Sequence, residues 1–191
     1  MRDGVWWPQA RRVISPNQDA RPEGARVELV VLHAISLPPG RYGGGWIERL
    51  FTNQINPDAD PYFSGLVDLR VSAHFLVARD GAVTQFVPTS ARAWHAGVSE
   101  WNGRPRCNDF SVGIEFEGCD DEAFTSAQYI AGGRLLAWLW QVEPTLTREA
   151  VAHHSAIAPG RKTDPGPFFD DDRLLAAADA ASAMIVERDV G

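Results

Sequence analysis

Residues 110–117, Phe-Ser-Val-Gly-Ile-Glu-Phe-Glu, alternate without a break between large apolar side chains and small or acidic ones. Successive side chains of a β-strand point to opposite faces of a sheet, so this period of two predicts a strand with one apolar face. That face packs against a core. The opposite face carries Glu115 and Glu117 and must meet water, a ligand or a metal ion. The chain is therefore expected to place one strand between its core and a candidate site.

Three more runs have the composition of β-strands. Residues 27–33 are short and rich in β-branched side chains, which suits a buried strand that ends at His33. Residues 71–77 and 82–87 flank an Asp-Gly pair at positions 80–81. Because Asp-Gly between two such runs is a strong turn signal, these residues predict a β-hairpin.

Helical signals occur at three places. Thr125 followed by Gln128 forms a capping-box pattern, and apolar residues at helical spacing continue it to about Val142. A short helix is predicted over residues 46–51, and an alanine-rich amphipathic stretch covers residues 172–186. Helices interleaved with strands in this order predict an α/β fold, with a central mixed β-sheet flanked by α-helices.

Proline and glycine mark three irregular segments: the lead-in at residues 1–26, a long loop region at 36–64, and residues 151–169. A loop as long as residues 36–64 in a compact domain is usually functional or mobile. The chain has 191 residues, of which 45% are hydrophobic, which is enough for one good core. A single domain over residues 1–191 is therefore predicted.

The charge and the cysteines restrict the classes of partner. The net charge is -7 and the arginines are scattered, so neither nucleic acid nor an anionic membrane has a basic surface to meet, and no protein partner is implied. No apolar run approaches the roughly 18 residues of a membrane span. The segment 1–7 lacks the apolar core of a signal peptide, so a cytoplasmic location is expected. There, Cys107 and Cys119 are expected to be small buried thiols rather than a disulfide.

Histidine and acidic residues supply the groups for metal chemistry. His33 ends a predicted strand, while His154 and Asp164 bracket a proline-punctuated loop that also contains Lys162. A catalytic zinc site has three such ligands and leaves the fourth position to water, whereas structural sites usually need several thiolates. With Glu115 as proton acceptor and Lys162 as the cation beside an oxyanion, the set would suit hydrolysis. Spacing alone leaves two other interpretations open: a structural strand-end histidine, and a solvated turn with an incidental Lys–Asp pair.

Motifs in five segments give a more specific indication. In chain order they are 31–33 (VLH), 71–75 (VSAHF), 93–99 (AWHAGVS), 108–115 (NDFSVGIE) and 154–166 (HSAIAPGRKTDPG). Together these segments resemble the zinc amidase family that includes bacteriophage T7-type lysozyme amidases and peptidoglycan recognition proteins. The resemblance extends over nearly the whole chain. It is closest to the cytosolic branch of the family, which hydrolyses the amide bond between 1,6-anhydro-N-acetylmuramic acid and L-alanine for cell-wall recycling.

The resemblance implies a role for several residues. His33, His154 and Asp164 match the ligands of one Zn²⁺ ion, Glu115 matches the catalytic glutamate, and Lys162 matches the lysine that stabilises the oxyanion.

The resemblance also implies how an anhydro-muropeptide substrate is bound. Arg70 and Arg106 match arginines that hold the terminal carboxylates of the stem peptide, for which the guanidinium fork is suited. Trp94 and His95 match residues that line the substrate groove, and His74 matches a residue near the metal. For His74 and Trp94, packing in the core is an equally good interpretation.

Two positions depart from the pattern of this branch. Ala34 follows the first ligand where asparagine is usual, which could remove one polar contact to the substrate. His153 precedes the second ligand where a small residue is usual, and the register of 157–164 assigns the ligand to His154. Two other functions remain open at this point: a sensor of peptidoglycan fragments without catalysis, and an amidase that acts on intact cell wall.

Overall fold

The strands of the chain form one large β-sheet and two small ones in the computed structural model, which describes residues 5–189. The first four residues of the predicted lead-in, and of the segment compared with a signal peptide, lie outside the described residues. The strands are β1 (Arg11–Arg12), β2 (Gln18–Ala20), β3 (Leu29–Ile35), β4 (Phe75–Val77), β5 (Val83–Gln85), β6 (Ala91–Ala93), β7 (Glu100–Trp101), β8 (Arg104–Pro105), β9 (Ser111–Glu117) and β10 (Val151–His153).

The large sheet has the strand order β1-β5-β4-β9-β3-β10. Its central strand β9 runs parallel to both neighbours, β4 and β3, and β10 is parallel to β3 on the outside. Only the hairpin of β4 and β5 is antiparallel within this sheet, so the sheet is mixed, as predicted. Because β3, β9 and β10 are parallel, their carboxyl ends meet at one edge.

Four α-helices are described: α1 (Trp46–Phe51), α2 (Ser126–Val142), α3 (His154–Ile157) and α4 (Asp171–Asp189). The predicted capping box at the start of α2 is confirmed, since the side chains of Thr125 and Gln128 each accept a hydrogen bond from the other's backbone N–H. The short helix α1 is confirmed with its predicted bounds. Among residues 5–189, no helix has the length and hydropathy that crossing a membrane requires.

The main core lies between the sheet and the helices α2 and α4. The apolar side chains Val112, Ile114 and Phe116 of β9 pack there with Leu135 and other residues of the helices. This confirms the core face predicted for the alternating segment, with one exception. Phe110 precedes β9 and packs on the other side of the sheet in a smaller cluster with Leu29, Val31, Ala96, Cys107 and Ile157.

Several short elements differ from the sequence prediction. Only 75–77 of the predicted strand 71–77 is in β4, because the backbone N–H of Ser72 donates to Trp94 rather than to a sheet neighbour. The segments predicted to be irregular contain β1, β2 and β10, strands of two or three residues that pair with β5, β6 and β3. The thiols of Cys107 and Cys119 are free; Cys107 is buried as expected, whereas Cys119 is half-buried.

Candidate metal centre and active site

Three predicted metal ligands meet at the carboxyl edge of the sheet. His33 lies in β3, His154 begins α3 directly after the adjacent strand β10, and Asp164 lies in the loop that follows. The Nδ1 atoms of His33 and His154 are 2.9 Å apart, and Oδ2 of Asp164 lies 3.3 Å and 3.0 Å from them respectively. Tetrahedral zinc with bonds of about 2.0–2.1 Å separates its ligand atoms by about 3.3 Å. The three side chains therefore fit a zinc ion after shifts of only a few tenths of an ångström.

The outer nitrogens of both imidazoles have hydrogen-bond partners. Nε2 of His154 lies 3.2 Å from the carbonyl oxygen of Ala96, to which it donates. Nε2 of His33 lies 2.9 Å from Nδ1 of His95, whose own Nε2 lies 3.2 Å from Oγ of Ser111. With the proton on Nε2, each imidazole directs the lone pair of Nδ1 towards the cluster, the arrangement that metal-binding histidines require.

The protonation states also suit a divalent cation. Burial lowers the pKa of His33 to about 4, so its imidazole is neutral near pH 7. Burial opposes ionisation of Asp164, but the adjacent imidazoles of His154 and His33 outweigh burial and hold the pKa of the carboxyl well below its usual range. Neutral imidazole and ionised carboxylate are the forms that bind metals.

Glu115 lies beside the cluster on β9, directly opposite His33 in the parallel pairing of β9 with β3. Only 9% of the residue is exposed, and among the described residues its buried Oε2 atom has no hydrogen-bond partner. Burial, with the charge of Asp164 adding to it, raises the pKa of Glu115 well above its usual range, although the charge of Lys162 acts in the opposite direction. A carboxylate of raised basicity beside a metal cluster is suited to accept a proton.

The cluster opens into a cleft of about 420 Å³. One part of its lining is polar and contains the three predicted ligands, Glu115 and the exposed Lys162. The other part is largely apolar and comes mostly from the predicted long loop and the residues that follow it; this wall includes Leu37, Pro39, Tyr62, Leu66, Leu69, Val71 and Trp94. The cleft thus joins a hydrolytic group of side chains to an apolar surface.

Comparison with known proteins agrees with this arrangement. The profile of the N-acetylmuramoyl-L-alanine amidase family (Amidase_2) matches residues 23–167. The chain belongs to the N-acetylmuramoyl-L-alanine amidase family. It is 51% identical over 180 residues to the 1,6-anhydro-N-acetylmuramyl-L-alanine amidase AmpD of Citrobacter freundii, covering 94% of this chain and 96% of that relative.

Two solved structures show the same fold. The crystal structure of a selenomethionine derivative of AmpD superposes on this amidase with a TM-score of 0.88 at 51% identity, covering 93% of this chain and 98% of that one. A second is AmiD of Escherichia coli in complex with the substrate anhydro-N-acetylmuramic acid-L-Ala-D-γ-Glu-L-Lys. It matches with a TM-score of 0.58 at 28% identity, covering 82% of this chain and 60% of that one.

The other residues singled out in the sequence lie at different depths of the amidase. Trp94 and His95 line the cleft. His74 does not: it is fully buried behind His95, where Nδ1 accepts the N–H of Gly113 and Nε2 donates to the carbonyl of Ala91. The structure therefore gives His74 contacts that support the site from behind and none with the cleft.

The two arginines expected to bind the stem peptide are both exposed and outside the cleft lining. Arg70 follows the cleft residue Leu69, and its guanidinium donates to the carbonyl of Val67. Arg106 lies on a separate depression, with Nε 3.1 Å from Oδ2 of Asp109. The structure does not bring them together with the metal cluster, and their role stays a prediction.

The polar face of β9 was predicted to meet water, a ligand or a metal ion, but only Glu115 reaches the cleft, and the remainder of this face is covered by protein. A side chain at Gly113 would collide with the ring of His95, and Glu117 accepts the backbone N–H groups of Gly43 and Arg79. The sequence also contained no indication of the role of Ala96, whose carbonyl fixes the ring of His154. Ala96 belongs to a quoted motif, but a role for a backbone atom has no signature in the residue type.

Proposed function

We propose that this amidase is zinc-dependent and hydrolyses the amide bond between 1,6-anhydro-N-acetylmuramic acid and L-alanine in peptidoglycan fragments, for cell-wall recycling. The observation that carries the proposal is the convergence of His33, His154 and Asp164 beside the unpartnered carboxylate of Glu115. The anhydromuramyl substrate is supported by the relatives, since the AmpD of Citrobacter freundii is named for that reaction and is about half identical over nearly the full length.

The donor set favours zinc. Two imidazoles and one carboxylate are a common ligand set for catalytic zinc, which keeps one coordination position open. When bound, the ion supplies Lewis acidity: it polarises the scissile carbonyl and makes water nucleophilic near neutral pH.

The side chains of the cleft perform the remaining steps of the proposed hydrolysis. Glu115 accepts the proton of the attacking water at its free carboxylate and transfers it to the departing amine of L-alanine. Lys162 lines the same cleft, and its ammonium group stabilises the negative charge that develops on the carbonyl oxygen. The lone pairs of the ligands stay directed at the metal because their outer nitrogens are held by His95 and Ala96.

The shape of the cleft suits a substrate that is apolar at one end and charged at the other. We propose that the bicyclic anhydro-sugar lies on the apolar wall with Trp94, and that Arg70 and Arg106 hold the carboxylates of the stem peptide. We propose a cytoplasmic location in line with the resemblance, and fractionation of cells followed by immunodetection of the chain tests it.

The deciding experiment measures zinc content and cleavage together. Purified protein is analysed for zinc and incubated with anhydro-N-acetylmuramic acid-L-Ala-D-γ-Glu-L-Lys before chelation, after chelation and after return of zinc. We expect one zinc per chain and release of the intact tripeptide that is lost on chelation and restored by zinc. Zinc without cleavage would instead support a binding protein, and equal activity on intact sacculi would support a cell-wall amidase. A chain that binds no zinc would overturn the proposal.

A further inference from the structure

Two consecutive residues hold the outer nitrogens of both histidine ligands. The ring of His95 accepts the Nε2–H of His33, and the backbone carbonyl of Ala96 accepts the Nε2–H of His154. Although the two ligands are 121 positions apart in the chain, their orientation is therefore set by one dipeptide. Whatever fixes that dipeptide also fixes the geometry of the metal cluster.

One side-chain atom accepts both backbone N–H groups of this dipeptide. Oδ1 of Asn108 lies 3.2 Å from the backbone N of His95 and 2.8 Å from that of Ala96, and both N–H groups donate to it. Two successive backbone N–H groups can bond to the same oxygen only where the backbone curves around that oxygen. Asn108 therefore fixes the backbone of His95 and Ala96, the two residues that contact the predicted histidine ligands.

Asn108 is itself held rigidly. It lies in a 3-10 turn formed by Cys107–Asp109, and the guanidinium of the half-buried Arg21 donates to the backbone carbonyls of Asn108, Asp109 and Ser111 at 3.1 Å, 3.2 Å and 2.8 Å. Burial lowers the pKa of Arg21, but only to about 10, so this guanidinium stays charged at neutral pH. The backbone of Asn108 is thus linked through Arg21 to Ser111 at the start of β9, the strand that carries Glu115.

Ala96 has a second anchor that His95 lacks. The guanidinium of Arg161 donates to the carbonyl of Ala96 at 2.6 Å, so the partner of His154 is held from two sides. The backbone N–H of His95 has Asn108 as its only hydrogen-bond partner among the described residues. Loss of the Asn108 acceptor should therefore act chiefly on His95 and, through its ring, on His33.

We propose that Asn108 is a positioning residue for the metal centre: its carboxamide oxygen orients both histidine ligands through the backbone of His95 and Ala96. The inference rests on the proposed zinc-dependent function. Partners beyond the ligands themselves fix the ring orientation and the tautomer of metal-binding histidines, and their loss typically weakens metal binding roughly 10–100-fold.

The test compares Asn108→Ala with Asn108→Asp, which keeps both the shape and the acceptor oxygen. Zinc dissociation constants are measured by competition with a chromogenic chelator. We expect the Ala variant to bind zinc roughly 10–100-fold more weakly and the Asp variant to bind within about threefold of the wild type. The absorption spectrum of the cobalt-substituted protein should change in the Ala variant and stay unchanged in the Asp variant, because the spectrum reports the ligand geometry.

Asn17→Ala is the matched control. Asn17 is buried more deeply than the half-buried Asn108 and also holds loop backbone, donating to the carbonyl of Val71 at 2.7 Å, but it makes no hydrogen bond to His95 or Ala96. Its loss should lower the unfolding temperature and leave zinc affinity unchanged.

Wild-type zinc affinity in Asn108→Ala, or equal loss of zinc affinity in Asn108→Ala and Asn17→Ala, would overturn the inference. If Asn108→Ala does not fold, Asn108→Asp decides the question. A tenfold or greater loss of zinc affinity in Asn108→Asp would overturn the inference. A wild-type protein without zinc would instead refute the proposed function.

Discussion

His33 and Glu115 are directly opposite each other on the parallel strands β3 and β9. Neighbouring strands are about 4.8 Å apart and side chains at matched positions point to the same face. The backbone ladder of the sheet therefore fixes the separation between a predicted metal ligand and the predicted proton acceptor. Groups held on strands in this way keep their geometry better than groups on loops.

Glu115→Gln should separate activity from stability. Without an ionisable oxygen, kcat should fall roughly 100-fold or more while zinc remains bound. The folded apoprotein should become more stable at pH 7, because the buried carboxylate no longer has to be desolvated when ionised. Turnover of the anhydromuramyl tripeptide and urea unfolding measure the two effects.

Glu117→Gln is the control for that variant. Glu117 lies on the same face of β9 and is equally buried, but its two oxygens accept backbone N–H groups from Gly43 and Arg79. This substitution should lower stability by about 1–3 kcal/mol and leave kcat near the wild-type value. Similar turnover in the two variants would show that Glu115 is not the base.

Adjacent histidines test the assignment of the second ligand. His154 is buried with Nδ1 in the cluster, whereas the half-buried His153 places Nε2 2.8 Å from Asp171 at the start of α4. His154→Ala should abolish stoichiometric zinc binding, and His153→Ala should retain one zinc per chain, as measured by elemental analysis after dialysis. The reverse pattern would move the ligand by one residue and displace Asp164 and Lys162 from their proposed roles.

The features that could be predicted from the sequence have local causes. The alternation in 110–117 produced β9, the Asp-Gly pair produced the turn between β4 and β5, and Thr125 with Gln128 produced the start of α2. In each case neighbouring residues carry the whole signal. The metal ligands were named by resemblance, and the structure brings those three side chains together.

The features that could not be predicted depend on distant parts of the chain. Strand β10 has three residues and no alternation, and it forms because β3 supplies its hydrogen-bond partners. That pairing is what delivers His154 beside His33. Likewise, the Nδ1 atoms face the cluster because the outer nitrogens of the two rings contact His95 and the carbonyl of Ala96, and residue spacing carries no information about either contact.

Gly113→Ala should disturb the metal centre without touching a ligand. A Cβ atom at position 113 would lie 2.5 Å from Cγ of His95, so the ring must shift, and its contact with Nε2 of His33 is disturbed. We expect zinc affinity to fall roughly 10–100-fold and stability to fall by about 1–3 kcal/mol from overpacking. Gly65→Ala is the control, since a Cβ there meets no atom within 4 Å. Unchanged zinc affinity in Gly113→Ala would show that the ring of His95 does not govern His33.

The zinc-free protein should lose stability on mild acidification. Burial lowers the pKa of His33 to about 4 and also places the pKa values of His74 and His95 well below the ordinary 6.5. Below pH 6.5 the unfolded chain binds protons that the folded chain does not, so stability falls as the pH drops towards the folded values. His33 alone should contribute a loss on the order of 2 kcal/mol between pH 7 and pH 5.

Glu115 acts in the opposite direction in the same experiment. Its raised pKa means that the folded chain keeps a proton that the unfolded chain has lost, which favours folding on the acid side. One such group opposes three histidines, so the protein still loses stability between pH 7 and pH 5, and Glu115→Gln should make this loss larger. Urea unfolding at pH 7 and pH 5 after chelation measures the loss. Equal or greater stability at pH 5 would contradict the buried neutral state of these rings.

Arg70 and Arg106 give the sharpest test of substrate recognition, because the structure places both outside the cleft lining. If each guanidinium binds a stem-peptide carboxylate, Arg70→Ala and Arg106→Ala should each raise KM for the anhydromuramyl tripeptide with little change in kcat. A charge-assisted hydrogen bond of about 1.5–3 kcal/mol corresponds to roughly a 10–100-fold loss in kcat/KM. Arg104→Ala is the control, since Arg104 is also exposed and lies on the same depression as Arg106, but it pairs with Glu28 and has no proposed role in substrate binding. On a substrate whose carboxylates are amidated, all three variants should match the wild type, because no anion remains to be bound. A KM that responds equally to Arg104→Ala, or a loss that persists on the amidated substrate, would mean that the arginines act on the fold rather than on the stem peptide.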